Sequence, residues 1–168
     1  MALALTLVAL PSPSGASERH SIVDVASAFA PATLATSHPA VTYDGAAVPR
    51  GSRVQFVQSR SAGGGDAGDV LVETLRVWGL RSRARFYAYA YSHRCGSTPS
   101  TAGVRVQDQP APSHFPQNEI WLGFRTNARG DATSSARQYW LTAGRAESVV
   151  IDANPNGDPV ACLTVALR

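Results

Sequence analysis

Residues 85–96 read RFYAYAYSHRCG, and the prediction of the fold starts from this stretch. Three tyrosines, Tyr87, Tyr89 and Tyr91, alternate with small residues shortly before Cys95. Because successive side chains of a strand point to opposite faces, this period of two is typical of a half-buried β-strand. The pattern therefore predicts a strand that carries three phenols on one face.

The rest of the chain continues in the same way, with short apolar or alternating runs between turn residues. Turn signals such as Asp44-Gly45 recur at short intervals, and no long run has the period of a helix. This signature predicts an all-β sandwich or Greek-key barrel without internal repeats. Besides the tyrosine strand, the predicted strands cover residues 40–43, 53–58, 70–79, 118–126, 138–141, 147–151 and 161–166.

The length and charge of the chain limit the classes of protein to which it can belong. The chain has 168 residues, which favours a single domain with a sizeable core. Its net charge is +3, and every basic residue apart from histidine is an arginine. Because the arginines are scattered except for Arg81, Arg83 and Arg85, we do not expect a nucleic-acid-binding protein. An arginine-biased genome explains this composition, and the alternative is a site for anions.

The N-terminal segment 1–17, MALALTLVALPSPSGAS, has an apolar run followed by small residues. This order is typical of a secretory signal, although a basic start is missing, and a disordered apolar terminus is the alternative. The run is too short to span a membrane. Residues 18–40 are rich in Ala, Ser, Thr and Pro and predict a low-complexity linker. The folded domain is then 41–168, in a secreted or cell-envelope protein.

The chain contains two cysteines, Cys95 and Cys162. In an exported protein, two cysteines most simply form one disulfide. Separate, reduced thiols would instead argue against export.

A longer set of motifs points to a known family. The chain contains, in order, YDGAAVPRGSRVQF, VWGL, the tyrosine strand ending in CG, TAG, NEIWLGFRTNARGDA, ESVVID and GDPVACLTV. From about residue 41 to 167, this order resembles the copper/zinc superoxide dismutase family, in particular its secreted actinobacterial branch. The resemblance implies an eight-stranded Greek-key β-barrel of immunoglobulin-like sandwich architecture. It also implies a disulfide that ties a loop to the last strand, with Cys95 and Cys162 at the matching positions.

The metal ligands of that family are replaced here. Its His-x-His copper pair aligns with Tyr89 and Tyr91, or with the neighbouring alanines if the alignment shifts by one residue. The histidine that bridges copper and zinc aligns with Arg105, and the last copper histidine aligns with Asp152. The arginine that guides superoxide aligns with Pro159.

These substitutions change what the site can do. A tyrosine phenol is a poor copper ligand near neutral pH, and a guanidinium has no lone pair to offer. We therefore expect no catalytic residue, no metal and no cofactor. We expect Tyr89, Tyr91, Arg105 and Asp152 to form a polar cluster in which Arg105 pairs with Asp152. The predicted function is that of an exported, non-catalytic binding domain.

Two alternatives stay open. The first is a divergent copper/zinc superoxide dismutase, converting superoxide to oxygen and hydrogen peroxide at a rebuilt metal site. Its candidate ligands are His93, His114, Glu119 and Asp152, and its cofactors would be copper and zinc. The second is a binding module for an anion or a surface polymer that uses Arg81, Arg83, Arg85 and Arg94. The sequence names no partner and leaves a homodimer open.

Overall fold

Ten β-strands and two 3-10 helices make up the described part of this computed structural model, which covers residues 20–61, 70–109, 118–140 and 144–168. The helices are Ala32–Leu34 and Pro99–Ala102. The strands, in chain order, are β1 (His20–Ala28), β2 (Ala30–Pro31), β3 (Ala40–Thr42), β4 (Arg53–Ser61), β5 (Val70–Trp78), β6 (Arg85–Tyr91), β7 (Phe124–Arg125), β8 (Ala132–Gln138), β9 (Ser148–Asp152) and β10 (Pro159–Thr164).

The strands form two sheets that pack face to face. The first sheet has the order β1-β4-β5-β8, and the second has the order β2-β3-β10-β9-β6-β7. Neighbouring strands are antiparallel except for β2 and β3. Phe56 and Leu75 of the first sheet meet Ala88, Val149 and Leu163 of the second in one buried core. The all-β prediction is therefore confirmed, and the two sheets do not close into a continuous barrel.

The tyrosine strand alternates as its sequence predicts. Phe86 and Ala88 of β6 are fully buried in the core between the sheets. The tyrosines consequently lie on the outer face of the second sheet. Trp121 and Arg105, in two later segments, lie beside β6 as the bridge partners of Tyr89 and Tyr91, so their side chains share this outer face.

Two predicted strands are wrong in extent. The strand expected at 138–141 is instead β8, Ala132–Gln138. Its sequence is ATSSARQ, and these small and polar residues do not show the alternation of apolar and polar residues that predicts a strand. It is a strand because it pairs with β5 along the sheet. The strand expected at 118–126 is regular only in β7, with isolated bridges at Glu119 and Trp121 before it.

The predicted linker 18–40 is also corrected, because β1, β2 and the first helix lie within it. β1 pairs with β4 from His20 to Ala28, and its Val23 and Val25 pack against the core. Frequent Ala and Ser residues obscure this alternation in the sequence, and backbone pairing stabilises the strand. The signal-like segment 1–17 lies outside the described residues.

The expected disulfide between Cys95 and Cys162 is confirmed, with a Cα–Cα distance of 5.7 Å. It joins the loop after β6 to β10, and the backbone N–H of Cys95 also donates to Thr164 Oγ1 at 3.1 Å. The loop that leads towards Arg105 is therefore attached to the sheet both covalently and by a hydrogen bond. No helix in the described ranges is long and apolar enough to cross a membrane.

Candidate functional site

Arg105 reaches the outer face of the second sheet through a sharp backbone turn at Gly103. Gly103 has a φ of 81°, and a Cβ atom there would overlap the side chains of Ser92 and His93. Glycine is therefore needed at this position. The turn brings the following residues alongside the end of β6, where Ser92 N–H donates to the Val104 carbonyl at 3.0 Å.

The Arg105 guanidinium lies at the centre of the predicted cluster. Its Cζ atom lies 3.7 Å from the centroid of the Tyr89 ring, which is cation–π geometry. Its Nε donates to Tyr91 Oη at 3.4 Å, and its Nη2 donates to Asp152 Oδ2 at 3.3 Å. The predicted pairing of Arg105 with Asp152 is thus confirmed, and all four residues expected in the cluster contact one another through Arg105.

A second carboxylate completes the cluster. Glu119 Oε2 lies 3.9 Å from Arg105 Nη1, and the Glu119 side chain is almost fully buried. Trp121 Nε1 donates to Glu119 Oε2 and Gln107 Nε2 donates to Glu119 Oε1, both at 2.9 Å. Glu119 was expected as a candidate metal ligand, and its carboxylate oxygens are instead engaged by these donors and the arginine.

Asp152 is fully buried, and its Oδ1 atom has no hydrogen-bond partner among the residues that the structure describes. Burial raises the pKa of this carboxyl to about 6, although the charge and the hydrogen bond of Arg105 act in the opposite direction. Asp152 therefore loses most of its negative charge in mildly acidic solution, whereas near neutral pH it is mostly ionised and neutralises Arg105.

Burial also raises the pKa of the Tyr89 and Tyr91 phenols, and the nearby Arg105 charge only partly offsets this effect. Both phenols therefore keep their protons at neutral pH. Burial by itself would lower the pKa of Arg105, but Tyr91, Tyr89 and Asp152 outweigh it and raise that pKa. The guanidinium consequently remains a fixed positive charge.

An open cavity of about 740 Å³ lies over the cluster. Its walls include Tyr89, Arg105, Gln107, Trp121 and Asn156. Trp121 is 37% exposed and packs edge-to-face on Tyr89, with ring centroids 5.9 Å apart. The cavity volume is in the range of small-ligand sites, about 300–1,000 Å³, and aromatic and hydrogen-bonding groups line it together.

The alternative metal site had His93, His114, Glu119 and Asp152 as candidate ligands, and those that lie in the described residues do not group around His93. His93 lines a different cavity, next to Arg94, Cys95 and Glu147. His114 lies outside the described residues. In the described ranges, no three His, Cys, Asp or Glu side chains group closely enough to hold a metal ion.

Of the four arginines named for the alternative anion site, three lie at or before the start of β6, and Arg94 lies after its end. Arg94 lines the cavity beside His93, and the Arg81 guanidinium lies 5.9 Å from the Phe86 ring. Arg83 lies in the turn before β6, with a φ of 53°. Arg85 lies directly opposite Arg125, a neighbour that the sequence prediction did not include.

Gln107 was not predicted at the main site, and Trp121 was not placed beside the Arg105 cluster. A signal for Trp121 exists, since Glu119 and Trp121 are two residues apart in an extended segment and therefore share a face. No comparable signal marks Gln107. No protein-family model matches this chain, and no curated protein matches it.

Proposed function

We propose that this chain is an extracytoplasmic binding domain with the architecture of copper/zinc superoxide dismutases, and that it has no metal-dependent dismutase activity. The observation that carries this proposal is the position of the Arg105 guanidinium. It lies 3.3 Å from Asp152 and 3.7 Å from the Tyr89 ring centroid, among the positions that resemble the metal ligands of that family.

The strand order supports the family resemblance. β5 belongs to the first sheet, β6 and β7 pair in the second sheet, and β8 returns to lie beside β5. In a Greek key a fourth strand returns to lie beside the first, and β8 returns to β5 in this way, although β5 and β6 lie in different sheets and do not form a hairpin. Sandwiches of this kind occur in copper/zinc superoxide dismutases and in many unrelated proteins, so the arrangement supports the fold and not an activity.

The residues at the site do not fit copper or zinc. Arg105 offers no lone pair, and both phenols keep their protons, so Asp152 is the only metal-ligand type among the four positions. A guanidinium about 4 Å from a cation opposes its binding by about 4 kcal/mol per unit of cation charge at an effective dielectric constant of 20. The fixed charge of Arg105 therefore works against any metal ion at this position.

The same residues suit the binding of an organic ligand. Arg105 is held by Tyr89, Tyr91 and Asp152, and its Nη2 also donates to the Pro155 carbonyl at 3.3 Å. Such restraint lowers the entropy cost of binding. The cavity over this rigid arginine, with the half-exposed Trp121 on its wall, supports a binding role for the domain.

Metal content and activity test this proposal together. The oxidised protein is recovered from an export pathway in medium containing copper and zinc, and both metals are measured by elemental analysis. The expected result is far less than one metal ion per chain and superoxide decay at the rate of buffer. Stoichiometric copper with dismutation well above that of buffer would overturn the proposal.

A pair of variants tests whether Arg105 is the obstacle to the metal. The variant Tyr89→His/Tyr91→His/Arg105→His/Asp152→His restores imidazoles at all four positions and is expected to gain copper binding, measured by titration calorimetry. The matched control Tyr89→His/Tyr91→His/Asp152→His keeps Arg105 and is expected to bind copper at least about a hundredfold more weakly. Equal copper affinity of the two variants would contradict the electrostatic argument.

A further inference from the structure

Two arginines face each other across the ladder between β6 and β7. Arg85 is the direct antiparallel partner of Arg125, and both residues are exposed. Among the described residues, neither side chain has a hydrogen bond or an ion pair. The two guanidinium groups are therefore adjacent positive charges without a counter-charge.

This arrangement is unfavourable for the protein alone. Directly opposite residues of an antiparallel pair have Cβ atoms about 4.5–5.5 Å apart, and like charges at that spacing repel each other. An acidic group placed between the two guanidiniums would remove the repulsion and accept charge-assisted hydrogen bonds from both. The geometry consequently suits one anionic group bound between two arginines.

The residues around Arg85 and Arg125 indicate which type of anion the pair could bind. Arg85 shares the outer face of β6 with Tyr87, and the face continues through Tyr89 to the half-exposed Trp121. Aromatic side chains combine an apolar ring surface with polar tips, which suits the mixed apolar and polar faces of sugar rings. The acidic residue nearest in the sheet register, Asp152, is fully buried and paired with Arg105, so it leaves the charge of Arg85 in place.

We propose that Arg85 and Arg125 bind one acidic group, a carboxylate or a sulfate, of an anionic polysaccharide. Nucleic acid is less suitable, because its binding requires a row of basic side chains along many phosphates. Here two basic side chains are directly paired, and the whole chain has a net charge of only +3. The Arg85–Arg125 pair is not among the metal positions, so this inference holds or fails independently of the proposed loss of the metal site.

Affinity measurements on sulfated and carboxylated polymers test the inference. Purified full-length protein is applied to immobilised dextran sulfate, to polygalacturonate and to uncharged dextran at increasing salt concentration. Retention on an acidic polymer that falls with salt, without retention on uncharged dextran, is the expected result. The two acidic polymers distinguish sulfate from carboxylate as the recognised group.

Charge reversal separates binding from folding at this pair. Arg85→Glu and Arg125→Glu each create an opposite-charge pair on the ladder, so each variant is expected to unfold at the wild-type temperature or above it. Each is also expected to lose at least about tenfold in affinity for the acidic polymer. The matched control is Arg137→Glu, an exposed arginine on β8 of the other sheet, and its affinity is expected to stay close to that of the wild type.

Several outcomes would overturn the inference. These are no retention on either acidic polymer, equal loss of affinity in the Arg137→Glu control, and tighter binding to single-stranded DNA of matched charge. If a charge-reversal variant fails to fold, Arg85→Gln/Arg125→Gln replaces it, because this double variant removes the repulsion without adding a negative charge. Wild-type affinity in that folded double variant would also refute the proposed role of the pair.

Discussion

Replacing Arg105 by leucine should destabilise the protein about twice as much near neutral pH as in acid. Without the guanidinium, the buried Asp152 avoids an unpaired charge by taking up a proton. From its ordinary pKa of 3.8, keeping this carboxyl protonated near pH 7 costs about 4 kcal/mol. Its folded pKa of about 6 means that burial already costs about 3 kcal/mol in the wild type. Because Asp152 can take up a proton, its contribution to the additional loss of unfolding free energy in the Arg105→Leu variant is limited to about 1 kcal/mol.

Loss of the cation–π contact between the Arg105 guanidinium and the Tyr89 ring adds about 1 kcal/mol to this loss of unfolding free energy. The Arg105→Leu variant should therefore lose about 2 kcal/mol of unfolding free energy near pH 7. Near pH 4, Asp152 is protonated in both proteins, so the expected loss falls to about 1 kcal/mol. Urea unfolding followed by circular dichroism at the two pH values measures the difference.

Asp152→Asn provides the control for this reasoning. Because the folded pKa of Asp152 is higher than its unfolded value, the carboxyl stabilises the fold most below about pH 4, and this contribution is lost as the pH rises towards 6. In the Asp152→Asn background, the cost of the Arg105→Leu substitution should differ less between the two pH values, with Glu119 as the carboxylate that remains beside residue 105. Equal losses at both pH values in the wild-type background would refute the proposed coupling between the two residues.

Three further predictions concern stability. Opening the Cys95–Cys162 disulfide by Cys95→Ser/Cys162→Ser should lower the unfolding free energy by about 4 kcal/mol in denaturant titrations, since the bond spans 67 residues of sequence. Glu73 is fully buried and its pKa is raised to about 7, so its contribution to stability is lost as the pH rises from about 4.5 to 7. Glu73→Gln should therefore stabilise the protein by up to about 3 kcal/mol near pH 8 and much less below pH 4.5, and an unchanged pH profile would contradict this. Gly130→Ala should lower stability by at least about 2 kcal/mol in thermal unfolding, because Gly130 has a φ of 84° and an added Cβ would overlap the Leu80 carbonyl.

The parts of the fold that could be predicted from the sequence are those where one face of a strand is buried. β6 shows its two faces as alternating tyrosine and alanine, and its strand is confirmed. β8 could not be predicted, because its ATSSARQ sequence carries few apolar residues and its order depends on pairing with β5. β1 was missed for a related reason, since its small residues resemble those of a linker.

The pairing of Arg105 with Asp152 was predictable because the two residues have complementary charges at positions that the family resemblance places together. Arg105 and Asp152 are far apart in the sequence, and the family alignment brought them together as a pair that the structure contains. Glu119 could not be assigned to the arginine cluster, because its partners Gln107 and Trp121 depend on how two irregular segments pack on β6. The pairing of Arg85 with Arg125 could not be predicted from the sequence either, since it depends on the register of the very short β7.

The Cys95–Cys162 disulfide also affects the position of Arg105. Cys95 anchors the same loop that turns at Gly103 and delivers Arg105 to the sheet. A newly made chain whose thiols are still reduced holds that arginine by noncovalent contacts alone. Formation of the disulfide therefore restrains the loop that carries Arg105, so the geometry of the arginine cluster depends on the oxidation state of Cys95 and Cys162.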